Sequence, residues 1–199
     1  GLNTGGMGTF SPSKFYTDEV HEFCVKNIYQ KTLDAMKSEG RPFTGIIFFG
    51  LMLTKDGPKV LEYNARFGDP EAQVVLPRLK TDLVDIVQAA IDGELDKVDL
   101  EWDERAAVCV VLASGGYPVS YEKGYTIHGL EEQKQKDNLI VFHAGTKKEN
   151  DQMITNGGRV LGLTAFGKDI EEARTVAYKA VLEVDFKDKQ YRTDIGIKK

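Results

Sequence analysis

Glu62, Asn64, Arg66, Asp69 and Glu71 fall within ten residues of one another. Acids, an amide and a guanidinium so close together suit chemistry on a charged substrate. The run Val60-Leu61-Glu62-Tyr63-Asn64-Ala65-Arg66-Phe67-Gly68-Asp69-Pro70-Glu71 reads as a strand end that passes through a loop into a helix start. Side chains two apart on a strand share a face. Val60, Glu62 and Asn64 are therefore expected on one side, and Leu61, Tyr63 and Ala65 on the other. Glu62 and Asn64 then offer oxygens side by side with no sulfur or imidazole beside them, a hard-ligand pair suited to Mg²⁺ or Mn²⁺ carrying substrate phosphates. Arg66 follows where a guanidinium can grip a phosphate with two parallel bonds. The bare Glu-x-Asn spacing equally describes a solvated sheet face. Leu61 and Tyr63, which imply that the opposite face is covered, and the charged turn that follows weigh toward a site. Asp69-Pro70 has the form of a helix N-cap followed by proline at the first helical position, so Asp69 can cap, bind a ligand, or do both.

A second motif opens the chain. In Asn3-Thr4-Gly5-Gly6-Met7-Gly8 the glycines allow positive φ and let backbone N–H groups approach an anion. The run is neither a Gly-x-Gly-x-x-Gly dinucleotide fingerprint nor a P-loop, because no Gly-Lys-Ser/Thr follows. A flexible loop and a phosphate- or substrate-binding loop fit it alike.

The elements that must hold these residues follow from periodicity. Thr17 to Ser38 predicts a helix with Val20, Phe23, Cys24, Ile28, Ala35 and Met36 toward a core, Asp18 and Glu19 in its first turn and Gly40 at its end. Phe43 to Thr54 predicts an apolar strand, Lys55-Asp56-Gly57-Pro58 a turn, and Lys59 to Ala65 the returning strand of an antiparallel hairpin. Pro77 breaks the next segment. Thr81 to Asp92 predicts a second helix with Leu83, Val84, Val87, Ala90 and Ile91 inward. Past Asp103 the pattern changes to short strands, Ala106 to Ala113, Tyr125 to Leu130, Leu139 to His143 and Arg159 to Ala165, with glycine pairs between them. Asp169 to Val184 closes as a helix capped by Asp169 and Glu172, with a stripe of Ile170, Ala173, Val176, Ala177, Ala180, Val181 and Val184. These patterns give an α+β chain of two domains, residues 1–102 and 103–199.

Of the 199 residues 41% are hydrophobic and 29% charged, enough for a core and typical of a globular protein. The net charge of −5 and the lack of a Lys/Arg block argue against a nucleic-acid surface. The longest apolar run, Gly45 to Leu53, suits a buried strand rather than a membrane span, and no signal-peptide pattern is present. Cys24 and Cys109, far apart and without Cys-x-x-Cys spacing, are expected as buried free thiols, which points to the reducing cytoplasm. His21, His128 and His143 are scattered and read as surface or packing residues.

The two motifs, together with Gly50-Leu51-Met52-Leu53-Thr54-Lys55-Asp56-Gly57-Pro58-Lys59 ahead of Val60, His143-Ala144-Gly145-Thr146, Gly157-Gly158-Arg159-Val160-Leu161 and Tyr191-Arg192-Thr193-Asp194-Ile195-Gly196, resemble the phosphoribosylamine–glycine ligase family, in order and over essentially the whole chain. The resemblance implies the C-terminal part of an ATP-grasp domain, an antiparallel sheet with helices, followed by a small β-rich domain with a closing helix. It implies an enzyme of de novo purine synthesis that joins glycine to 5-phosphoribosylamine and splits ATP to ADP and phosphate through glycyl phosphate. By the same resemblance Glu62 and Asn64 are metal ligands for Mg²⁺ or Mn²⁺. Arg66 stabilises charge on the transferring phosphoryl group or the acyl phosphate. Asp69 orients an amine substrate or the loop itself. Asn3, Thr4, Gly5 and Gly6 border the pocket for phosphoribosylamine and glycine, with Thr4 and the backbone of Gly5 and Gly6 as donors. Arg159 contacts a substrate phosphate or is an ordinary surface arginine. Family members carry an N-terminal domain and the first part of the ATP-grasp unit ahead of the matching residues. The chain begins Gly-Leu-Asn without an initiator Met, so the expectation is a C-terminal half, inactive or nearly so without the missing N-terminal half that supplies the adenine pocket and lid. Two other readings compete: a non-catalytic binding or assembly module, and an ATP-grasp ligase for another acid and amine.

Overall fold

The computed structural model describes residues 2–197. The chain divides into two compact units that do not follow a single cut near residue 102. Residues 1–12, 69–80 and 102–199 form one unit; 13–68 and 81–101 form the other. The reason is pairing at long range. β1 (Gly8–Ser11) lies antiparallel to β4 (Ala106–Ala113), with Gly8 opposite Val110, so the chain's start folds with its C-terminal part.

The larger unit is built on a four-stranded antiparallel sheet. Its order is β1, β4, β8 (Arg159–Gly167), β5 (Leu139–His143). β4 reads Ala-Ala-Val-Cys-Val-Val-Leu-Ala and is buried along its whole length because both its faces are covered. Val108, Val110 and Leu112 join a core that includes Ala173, Ala177, Ala180 and Val181 of α6 (Ile170–Glu183). Ala107 and Cys109 face Val74 of α3 (Ala72–Val75) and Phe166. α6 starts as expected: Asp169 Oδ1 accepts the Glu172 N–H at 2.9 Å, and Glu172 Oε2 accepts the Lys168 N–H at 2.7 Å. The sequence did not anticipate β1, the short α5 (Leu130–Lys134) or the hairpin of β6 (Thr146–Glu149) and β7 (Gln152–Thr155). The strand expected over Tyr125 to Leu130 is instead a pair of isolated bridges, Thr126 to Ile154 and His128 to Asp185. Gly129 at φ 80° leaves the extended region and starts α5.

The smaller unit has a hairpin of β2 (Phe48–Thr54) and β3 (Gly57–Asn64). With it come a helical run of α1 (Asp18–Cys24), a π-helical turn at Val25–Tyr29 and α2 (Gln30–Ser38), and then α4 (Leu83–Asp92). Gly45 at φ 141° delays β2, so the strand begins at Phe48 rather than Phe43. Tyr29 meets Phe49 at 4.5 Å between ring centroids, and Phe49 meets Tyr63 at 5.4 Å. This covering is thin. Leu61 and Tyr63 remain 64% and 56% exposed, against the expectation of a covered face. α4 turns Leu83, Ile86 and Ala90 partly inward, whereas Val84 (73%), Val87 and Ile91 (69%) form an exposed apolar ridge, so only part of the stripe expected inward is covered.

Candidate functional site

Each unit carries one of the two motifs. In the smaller unit the alternation of β3 sets Glu62 and Asn64 on one face. Asn64 Nδ2 donates to Glu62 Oε1 at 3.2 Å, which holds the two side chains together. Across the hairpin Gly50 is the register partner of Glu62, and a bulge follows between Gly50 and Leu51. A β-carbon at Gly50 would lie 2.8 Å from Glu62 Cγ, so the absence of a side chain there makes room for the Glu62 stem. A glycine inside an apolar strand signals such a close approach and would have pointed to Gly50. Glu62 is exposed and Asn64 half-buried. Among the described residues no three His, Cys, Asp or Glu side chains converge into a metal cage. Two hard oxygen donors on one face suit a divalent cation that takes its remaining ligands from phosphates and water. Arg66 is exposed and donates from Nη1 to the Phe67 carbonyl at 2.9 Å.

In the larger unit the glycine-rich loop precedes β1. Met7 O accepts the Val111 N–H at 3.1 Å, which ties the loop to the sheet. Asp69 is not a helix cap. Glu71 stands at the N-terminal cap position of α3, and no side chain caps that helix. The Asp69 carboxylate is committed elsewhere: Oδ2 accepts from Arg159 Nη2 at 2.6 Å and Oδ1 from Gln73 Nε2 at 2.8 Å. Arg159 Nη1 donates to two backbone carbonyls, Gly6 at 3.0 Å and Asp69 at 2.9 Å. The guanidinium, on a side chain only 22% exposed, therefore spans the loop and the residue before Pro70. The Gly5 N–H donates to Tyr117 Oη at 3.0 Å and is not a free donor to a ligand. Gly5 and Gly6 do not need positive φ. Gly6 is needed for a close approach, since a β-carbon there would lie 2.3 Å from Pro70 Cδ. Asn3 and Thr4 are exposed. Sequence reasoning missed Tyr117; the glycine pair Gly115-Gly116 just ahead of it, read only as a separator between strands, was the available signal. Beneath the loop Cys109 is fully buried, and burial pushes its thiol up to about 12.

Two models of one protein family match the chain in order. Residues 1–72 match "Phosphoribosylglycinamide synthetase, ATP-grasp (A) domain" and residues 107–198 match "Phosphoribosylglycinamide synthetase, C domain". The chain belongs to the phosphoribosylglycinamide synthetase family. Among curated relatives, the phosphoribosylamine–glycine ligase of Halalkalibacterium halodurans is 51% identical over 198 residues, covering 100% of this chain and 45% of that protein. The ligase of Fusobacterium nucleatum is 48% identical and covers 98% and 46%. The crystal structure of the Thermotoga maritima phosphoribosylamine–glycine ligase superposes with a TM-score of 0.84 at 36% identity, covering 98% of this chain and 47% of that one. The biotin carboxylase domain of Hydrogenobacter thermophilus 2-oxoglutarate carboxylase, at 15% identity and a TM-score of 0.63, shares the fold alone. The chain thus spans about half the length of the synthetase-family proteins it matches.

Proposed function

We propose that this chain supplies the metal-ligand pair and the substrate-side loop of a phosphoribosylamine–glycine ligase. The single observation that carries the reading is the Glu62–Asn64 pair, held side by side opposite Gly50, in a chain of this family. Glycine's carboxylate is a poor acyl donor until one of its oxygens becomes part of a leaving group. A carboxylate oxygen attacks the γ-phosphorus of ATP, the bond to the β,γ-bridging oxygen breaks, and ADP leaves glycyl phosphate behind. The amine of 5-phosphoribosylamine then attacks the acyl carbon. The carbon–oxygen bond to phosphate breaks, inorganic phosphate departs and the nitrogen gives up a proton. Glu62 and Asn64 would hold Mg²⁺ or Mn²⁺, which when bound to the ATP phosphates lowers charge repulsion around the transferring group. Arg66 places a permanent positive charge near that group and stabilises it. Asp69, engaged with Arg159 and Gln73, acts on the loop rather than as a free carboxylate for the amine.

β2 and β3 pair only with each other, so among the described residues each keeps an unpaired edge. That edge and the Val84–Ile91 ridge suit part of a larger assembly, in keeping with relatives about twice as long. ADP release by a full-length protein carrying this chain, measured with glycine and phosphoribosylamine omitted in turn, tests the reading. Release that needs both supports it; release indifferent to glycine points to another acid substrate, and no release points to the assembly module.

A further inference from the structure

We propose that Tyr117 and Arg159 are positioning residues that latch the glycine-rich loop in its substrate-binding shape; this rests on the ligase reading above. Both side chains reach one loop from paired strand ends. Arg159 opens β8 and stands in register with Ala113, the last residue of β4. Ser114, just beyond, donates from its backbone N–H to the Gly158 carbonyl at 2.8 Å and from Oγ to the Gly157 carbonyl at 2.8 Å. This stitching fixes the turn that carries Tyr117. The Tyr117 carbonyl accepts from Gln190 Nε2 at 2.9 Å, and its ring fills the space above Gly158, where a β-carbon would lie 2.3 Å from Cδ2.

From that platform each side chain makes a distinct contact with the loop. Tyr117 Oη accepts the Gly5 N–H, and Arg159 Nη1 donates to the Gly6 carbonyl. The same Arg159 nitrogen binds the Asp69 carbonyl, and Nη2 binds the Asp69 carboxylate. Successive residues of the loop are thus held at donor and acceptor, and Gly5 is enclosed: a β-carbon there would meet Arg159 Cζ and Tyr117 Oη at 3.1 Å each. A planar fork with three acceptors in fixed directions is a task lysine cannot reproduce. A loop built from three glycines has high conformational entropy when free, so clamping it lowers the ordering cost when substrate binds.

The test uses a full-length enzyme carrying this chain, with Tyr117→Phe, which removes only the acceptor oxygen, and Arg159→Lys. Hydrogen exchange at the Gly5 amide is expected to rise about tenfold in Tyr117→Phe, as for loss of one hydrogen bond. KM for phosphoribosylamine or glycine is expected to rise about three- to tenfold in each variant, with KM for ATP within about twofold of wild type. The double variant is expected to lose less than the product of the two, because both act through one loop. Unchanged exchange at Gly5 overturns the latch. Faster exchange with all kinetic constants unchanged overturns the positioning role, as does an equal rise in all three KM values. Failure of the ligase reading shows separately, as wild-type ADP release that does not need glycine, and the positioning role then falls with it.

Discussion

At Glu62, removing charge and removing fold can be told apart, because the side chain is exposed, its stem lies over Gly50 and its carboxylate is met by Asn64. In the full-length enzyme Glu62→Gln is expected to cut glycine-dependent ADP release about a hundredfold, the scale of a lost metal ligand. Its unfolding free energy should stay within about 0.5 kcal/mol of wild type, as for other surface changes. An unchanged rate in the folded variant would remove Glu62 from the metal site. Gly50→Ala tests the same site with the donors intact. The added carbon displaces the flexible Glu62 stem, so Mn²⁺ affinity read by electron paramagnetic resonance should fall about threefold or more, toward the loss seen when groups that orient a ligand are altered. That Glu62 and Asn64 share one face of β3 was legible in the sequence because strand alternation is a local rule. Gly50 belongs to the same hairpin, but its role depends on register across a bulge. The Asp69–Arg159 pair was not legible as a contact, since 90 residues separate its members. The local pattern at Asp69-Pro70 pointed to a cap because nothing nearby in sequence discloses the competing guanidinium.

Elements with a strong periodic signal and a clean terminus were read nearly to the residue. β4 and β5 coincide with their expected spans, and α6 begins at its Asp169 cap. Asp169→Ala is expected to lower the stability of the larger unit by about 1 kcal/mol in urea denaturation, the usual cost of losing a side-chain N-cap. No change would mean that Glu172 alone, through Lys168, holds the helix start. What escaped the sequence was set by partners far along the chain. β1 is four residues long and exists through its pairing with β4; β6 and β7 are polar and lean on each other. Burial of β4 also gives a chemical prediction. A cysteine whose thiol is pushed up to about 12 adds stability below its unfolded value of about 8.5, and loses that contribution as pH climbs toward the folded value. Cys109 should therefore resist iodoacetamide at pH 8 in the folded protein and react fully in denaturant, as mass spectrometry of the labelled peptide would read. Fast native labelling would place β4 near solvent.

At the scale of the whole chain the two units differ in how far they satisfy their own apolar surface. The larger encloses a continuous core between its sheet and α6. The smaller leaves Leu61, Tyr63, Val84, Val87, Ile91 and Leu95 exposed and carries an open cleft of about 410 Å³ lined by residues that include Phe43, Ile47 and Phe49. Apolar surface of that extent, rimmed by charged residues, drives association when it has no partner, and the unpaired edges of β2 and β3 add templates for strand pairing. The 199-residue chain by itself should accordingly associate as its concentration rises, seen as a growing sedimentation coefficient, and should release no ADP from ATP. Val84→Glu with Ile91→Lys places opposite charges about two turns apart on the ridge and should return the chain toward monomer without restoring activity. Adding the separately expressed remainder of a full-length relative should suppress association and bring back glycine-dependent ADP release. A chain that stays monomeric and turns over ATP alone would contradict both the reading of the ridge as an unpartnered surface and the assignment of the nucleotide site to residues outside it.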